Sequence, residues 1–490
     1  MSDTATAQDR AEDDGGLKRS ITGRLLFFYV LGDVLGSGIY VLIGSVAGEV
    51  GGAFWAAFAV GVTVAGFTGL AYAELATKYP QAAGASLYVN KAFGKKPLTF
   101  LTTVLYLSAT FAAAGSLAAG FSQYVAEVWD APPALLVMIA FIILLAVLNF
   151  IGITESVVAN MVMTFVEVTG LVIVMIIGII YVGQGKADFS VLTDFSTDDN
   201  IIFAIVAGVA LSFFAMTGFE NVANVAEETV DPHKNFPIAL IGGMATAGVI
   251  YVLVSMAAAL TVPVGTLADS DAALLEVVKA GILPLSVSVM TLVFAIIAMV
   301  AITNTTLVQV VTQSRILYGM AREDVVPGAF AKIHSSRRSP YVALVFSAVV
   351  VIGLVVVGDV LGRLGLNIDI VSRLASVTVA LLLVVYAGVI VSCFKLRGSD
   401  ESDQTFRAPS ALLVVGLIGN IVLLGYVIAT DPTSLIWCAG LVGLGGLLYV
   451  AEKLFGSEGT GAQAPDLDDP GTDPGTDTGT DTGAETDKGA

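Results

Sequence analysis

The first hydrophobic run of this chain, residues 24–47, carries Gly36-Ser37-Gly38-Ile39-Tyr40 at its middle. The run is long enough to cross a bilayer core of ~30 Å at ~1.5 Å per residue. Two glycines around a serine are a poor way to continue a lipid-facing helix, since each weakens a helix interior by ~1 kcal/mol relative to alanine. Irregular backbone survives at that depth only where protein lines a cavity. A half-helix restarting after such a break points free N–H groups and its positive dipole end at the cavity, a place for a carboxylate. Close packing of helices through small residues is the other reading of the same stretch.

A second interruption favours the cavity. Five runs later, residues 201–222 contain Phe213-Phe214-Ala215-Met216-Thr217-Gly218-Phe219-Glu220, a glycine and a carboxylate inside another apolar segment. Paired interruptions at corresponding positions of two halves point to a transport site between inverted repeats.

Composition agrees with a multi-pass membrane protein: 56% of the 490 residues are hydrophobic and the mean hydropathy is +0.87. The polar first twenty residues lack an apolar signal core, so the first span is expected to act as an uncleaved insertion signal. Cys393 and Cys438 both sit in apolar runs and suggest no disulfide framework. The two histidines, His233 and His334, fall in loops, so no metal site is expected in the membrane. No phosphate-binding loop motif is present, which argues against direct use of ATP. No cofactor and no nucleic acid partner are expected. From Gly456 to Ala490 nine acids face only Lys488, which supplies −8 of the net −18, and this Gly-Thr-Asp tail is expected to be disordered.

Hydrophobic runs give twelve spans: about 24–47, 52–77, 97–126, 133–151, 158–182, 201–224, 236–260, 281–312, 341–357, 370–394, 409–429 and 433–453. With the N-terminus inside, nineteen of the 23 lysines and arginines fall on the cytoplasmic side. Only Lys186, Lys279, Arg363 and Arg373 fall outside, so both termini are expected in the cytoplasm. The resulting organisation is a polar N-terminus (1–23), spans 1–5 (24–182), spans 6–10 (201–394), spans 11–12 (409–453) and the acidic tail (456–490).

The cytoplasmic end of span 2 reads Tyr72-Ala73-Glu74-Leu75, then Pro80, Ala83-Gly84 and Tyr88. With Gly36-Ser37-Gly38-Ile39-Tyr40, Gly218-Phe219-Glu220, Ala226-Glu227-Glu228 and Ser314-Arg315 through Glu323-Asp324, this order resembles the amino acid–polyamine–organocation superfamily. Residues 32–52 look most like its cationic amino acid transporter branch. The resemblance implies an all-α membrane fold, a 5+5 inverted repeat of the leucine-transporter type with broken helices 1 and 6. Spans 11 and 12 would lie outside that repeat. It also implies that N–H groups of Ser37, Gly38 and Ile39 hold a substrate carboxylate. Carbonyls near Phe213, Phe214, Thr217 and Gly218 would take the ammonium, with Phe214 or Phe219 covering the substrate.

Asp33, Glu167 and Glu220 lie well inside spans, where insertion costs roughly 2.5–3.5 kcal/mol for an acid at a helix centre. No lysine or arginine sits at similar depth. Each is a candidate to carry a proton; Asp33 and Glu220 could instead satisfy backbone groups at the breaks. Some relatives hold a lysine at the place of Glu167, where its ammonium stands in for sodium; a glutamate there would ferry a proton instead. A sodium ion has rival ligands in the carbonyls of Gly32 and Leu35 and the hydroxyls of Thr303, Thr305 and Thr306. In-span hydroxyls also bond their own helix.

The expectation is a secondary active amino acid transporter of the plasma membrane, not an enzyme, working by alternating access with proton or sodium as coupling ion. A polyamine or organic-cation carrier, a nutrient receptor and a channel are the alternatives.

Overall fold

The computed structural model describes residues 20–81, 84–129, 132–151, 157–196, 200–335, 337, 339–366, 368–399 and 404–455. The acidic tail, most of the polar N-terminus and the motif residue Ala83 lie outside the described residues. Among the described residues every regular element is helical, joined by one isolated parallel bridge between Ile21 and Thr229. Hydrocarbon leaves a chain no other way to satisfy its backbone except a closed barrel.

In chain order the helices are α1 (Gly23–Leu35), α2 (Gly38–Val50), α3 (Trp55–Lys78), α4 (Gly84–Phe93), α5 (Lys96–Val128), α6 (Ala134–Ile151), α7 (Val157–Gly183) and α8 (Ile201–Ala215). They continue with α9 (Pro232–Thr261), α10 (Val264–Ala268), α11 (Ala273–Lys279), α12 (Val287–Arg322), α13 (Tyr341–Leu361), α14 (Ile370–Leu396), α15 (Ser410–Thr430) and α16 (Pro432–Phe455). Eleven stretches are long and apolar enough to cross a membrane, and α1 with α2, bent by 40° at a short break, makes twelve.

The first run therefore breaks where its glycines are. α1 ends at Leu35, α2 opens at Gly38, and Gly36 with Ser37 bridge them. The second run breaks differently from the first. α8 stops at Ala215, the chain turns through Thr217 and Gly218, and it resumes as a 3-10 helix at Phe219–Val225 rather than as a second α-half. Gly218 sits at φ +117, a backbone region closed to side-chain-bearing residues, and that turn redirects the chain.

Hydropathy also misplaces span 8. α12 begins six residues later than the apolar run, after Pro284, and continues ten residues past it to Arg322. Its last turns are more polar yet still helical, so the loss of hydropathy there does not mark the end of the helix.

α1 packs on α9 and α7, α2 on α8, and α5 on α12 and α14, so the two breaks lie inside a ring of neighbours. α15 and α16 lean on α3, α14 and α5 from outside; in α16 only Ser434, Leu441 and Gly445 are buried. At the end of α3 the buried Glu74 receives Nε and Nη2 of Arg397 at 2.8 and 2.7 Å and the backbone N–H of Ala408 at 2.8 Å. That ion pair ties the end of α14 and the approach to α15 onto α3. On the same side, the N–H groups of Ser20 and Ile21 both reach the Glu228 carbonyl at 3.0 Å, and the Val230 N–H returns to the Ile21 carbonyl at 2.9 Å.

Candidate functional site

The two breaks meet. The Cα of Gly38 lies so close to α8 that a β-carbon added there would stand 2.4 Å from the Cα of Ala215. A β-carbon on Gly218 would stand 2.6 Å from the Asp33 carbonyl oxygen. Both contacts require glycine, which explains two of the interruptions by packing as well as by chain direction. Tyr251 of α9 holds the junction from behind: its hydroxyl lies within hydrogen-bond reach of the Val34 and Ala215 carbonyls, the second at 3.0 Å. Those carbonyls end α1 and α8, where helical acceptors run out of donors.

Between the breaks lies a cavity of about 10 Å³, room for about one water-sized group. Asp33, Ser37 and Gly38 line it from the first break, Phe214 and Thr217 from the second, and Thr305 and Gln309 from α12. The Ser37 N–H donates to Thr305 Oγ1 at 3.1 Å. Gly38 and Ile39 open α2, where no preceding turn offers their N–H groups an acceptor. Asp33 accepts from Asn221 Nδ2 at 3.1 Å through Oδ2, and Asn221 in turn accepts from the Tyr106 hydroxyl.

Other expected residues are placed elsewhere. The Phe213 carbonyl accepts from the Met216 N–H at 3.0 Å, and the Phe214 carbonyl from the Thr217 N–H and hydroxyl at 3.1 and 2.8 Å. Phe219 is buried in a cluster with Tyr72, edge-on at 5.6 Å between ring centroids, and Tyr386, tilted at 5.2 Å, and does not line the cavity. Glu220 Oε2 accepts from the Gly218 N–H at 2.9 Å and from the Tyr386 hydroxyl at 2.8 Å, so it braces the turn. Glu167 is fully buried between α7 and α12, apart from the cavity. Its Oε1 accepts from Asn304 Nδ2 at 3.2 Å and its Oε2 has no partner. The Tyr40 hydroxyl of α2 donates to the Glu167 backbone carbonyl at 2.6 Å.

Of the sodium candidates, the Thr303 and Thr306 hydroxyls donate to their own helix, each at 2.6 Å. The Gly32 carbonyl accepts the Gly36 N–H at 3.2 Å, and Leu35 is the last residue of α1. Only Thr305 of the three threonines faces the break.

Gln309 and Tyr251 were not singled out in the sequence. Gln309 stands one helical turn after Thr305, so the i, i+4 spacing was a usable signal. Tyr251 had none, because its partners are carbonyls that only the broken helices expose.

Residues 23–443 match the model of the family described as "Amino acid permease". The chain is 25% identical to the branched-chain amino acid permease BcaP of Bacillus subtilis, over 82% of this chain and 86% of that protein. It is 25% identical to the serine/threonine exchanger SteT of the same organism, over 89% and 97%. It is 27% identical to the chloroplastic cationic amino acid transporter 9 of Arabidopsis thaliana, over 62% of this chain and 55% of that longer protein.

Proposed function

Because this chain belongs to the amino acid permease family, a family of membrane transporters with many helical spans, we propose that it carries amino acids across the plasma membrane by alternating access. The reading is of a secondary active carrier, with both termini in the cytoplasm and a proton as coupling ion, in symport or exchange. The observation that supports it best is the meeting of the two breaks around one polar cavity lined by Asp33, Ser37, Thr217 and Thr305. The N-terminus of α2 offers a carboxylate the N–H groups of Gly38 and Ile39 and the positive end of a helix dipole, and the Ser37 N–H would join them by leaving Thr305 Oγ1. The cavity as it stands would have to widen to admit a whole amino acid, which fits a carrier that opens to one side at a time.

Proton coupling is favoured over sodium by two details. Thr303 and Thr306 spend their hydroxyls on their own helix. Glu167 keeps one carboxyl oxygen buried without a partner, an arrangement that suits a carboxyl group taking and giving up a proton as water reaches it and leaves.

The test is uptake into proteoliposomes across the twenty amino acids under an imposed inward proton gradient, a sodium gradient, or neither. Accumulation driven by protons is expected for at least one amino acid. Glu167→Gln should then exchange substrate at equal pH but lose accumulation from the gradient. Accumulation driven by sodium and indifferent to pH would move the coupling to Thr305 and its neighbours; uptake of none of the twenty would leave the family assignment without its expected cargo.

A further inference from the structure

Three buried side chains that line the cavity each hold an oxygen with no hydrogen-bond partner: Asp33 Oδ1, Ser37 Oγ and Gln309 Oε1. All three residues are more than nine-tenths buried, at 2%, 0% and 5% exposure. Such atoms are rare in folded proteins and each calls for an explanation. They come from three walls: the last turn of α1, the break itself, and α12. The cavity they share has room for one water-sized group. No lysine or arginine lies along the interior stretches of α1, α5, α8 or α12 that enclose it. The last carbonyls of α1 add the negative end of a helix dipole on this side.

The geometry points to Asp33, with Ser37 and Gln309, as the receiver of the substrate's ammonium group. An ammonium has three donors and no acceptor, is about the size of the group this cavity admits, and carries the positive charge that would balance an Asp33 carboxylate. The carbonyls of Phe213 and Phe214, also at this junction, already receive bonds from Met216 and Thr217. The break in the first span then becomes a dipolar cleft. Across Gly36 and Ser37, the negative end of α1 with Asp33 faces the positive end of α2, one pole for each charged group of an amino acid head. This assignment rests on the amino acid reading above and names the group that one wall of the same site binds. It also predicts a preference: compounds with a primary or secondary ammonium bind more tightly than their deaminated counterparts, which keep only the weaker hold on the carboxylate.

The experiment uses the full chain in nanodiscs, with leucine, serine and arginine as probes beside isocaproate, hydracrylate and δ-guanidinovalerate, which lack the ammonium. Asp33→Asn keeps the shape and the oxygen that Asn221 holds. It should weaken the amino acid that binds wild type by about tenfold to a hundredfold, the range for losing a hydrogen-bonded charge. Its affinity for the deaminated partner should be unchanged. Equal loss for both compounds would mean a purely structural role and overturn the proposal, as would an unchanged affinity for the amino acid. If Asp33→Asn does not fold, Ser37→Ala and Gln309→Leu carry the test: each should weaken the amino acid severalfold and spare the deaminated compound, and no change in either overturns it. If sodium chloride, against potassium chloride, stabilises the wild type without amino acid and Asp33→Asn abolishes this, the three oxygens serve a metal cation and the proposal falls. Binding of none of the three amino acids by wild type would bring down the amino acid reading together with it; wild-type binding with an indifferent Asp33→Asn leaves that reading intact.

Discussion

A β-carbon on Gly38 would overlap the Cα of Ala215, an approach that no rotamer change can relieve because the obstacle is backbone. Gly38→Ala should therefore lower stability by about 1–3 kcal/mol, the usual range for overpacking a filled interior. Thermal unfolding in detergent measures it, and a change within experimental error would show that the two breaks yield easily. A larger residue at Gly38 is for the same reason a poor probe of substrate binding, since it would part the helices before it met any ligand. Asp33, Ser37 and Thr305 were legible as polar residues in apolar runs, because hydrocarbon tolerates such groups only with cause. Glu220 was equally legible, yet its bonds to Gly218 and Tyr386 show a brace for the turn. What a lone sequence withholds at this scale is the partner of each polar atom: Tyr72, Phe219 and Tyr386 form one cluster from three distant stretches.

Between elements, the pair of Glu74 and Arg397 is the clearest case of a charge serving structure. Glu74 is buried and Arg397 mostly so, at 6% and 11% side-chain exposure, and the contact is bidentate. Removing only the cation leaves a carboxylate stranded, which costs about 3–5 kcal/mol in buried pairs, whereas replacing both partners is often neutral. Arg397→Met is thus expected to lower the unfolding temperature sharply, and Glu74→Gln with Arg397→Met to recover most of the loss. Additive losses in the double variant would show that the two side chains act independently. Sequence placed most helices within a few residues, because each apolar run in a bilayer has one way to satisfy its backbone. It failed where that rule is silent: the 3-10 turn after Gly218 and the polar end of α12 depend on neighbours and not on hydropathy.

For the whole molecule, the charge bias predicts that the loop between α12 and α13 and the segment after α16 face the cytoplasm. Cysteines introduced at Ser335 and Ser457 should resist an impermeant thiol reagent added to intact cells. Labelling of both from outside would invert the topology. The number and order of spans were legible from apolar runs, while which helix touches which was not, since packing in lipid is decided by shape.

The three backbone bonds that join Ser20 and Ile21 to Glu228 and Val230 have a consequence for timing. They fasten the entry to α1 to the segment between the second break and α9, so one broken span cannot swing from the other at that end without exposing these amides. The N–H groups of Ile21 and Val230 should then take up deuterium from heavy water slowly while the segments are joined. They should take it up faster in any state that parts them. Mass spectrometry of the corresponding peptides, with and without a bound amino acid, would follow the opening of that mouth with no label attached; equal exchange in every condition would mean that the latch stays shut throughout.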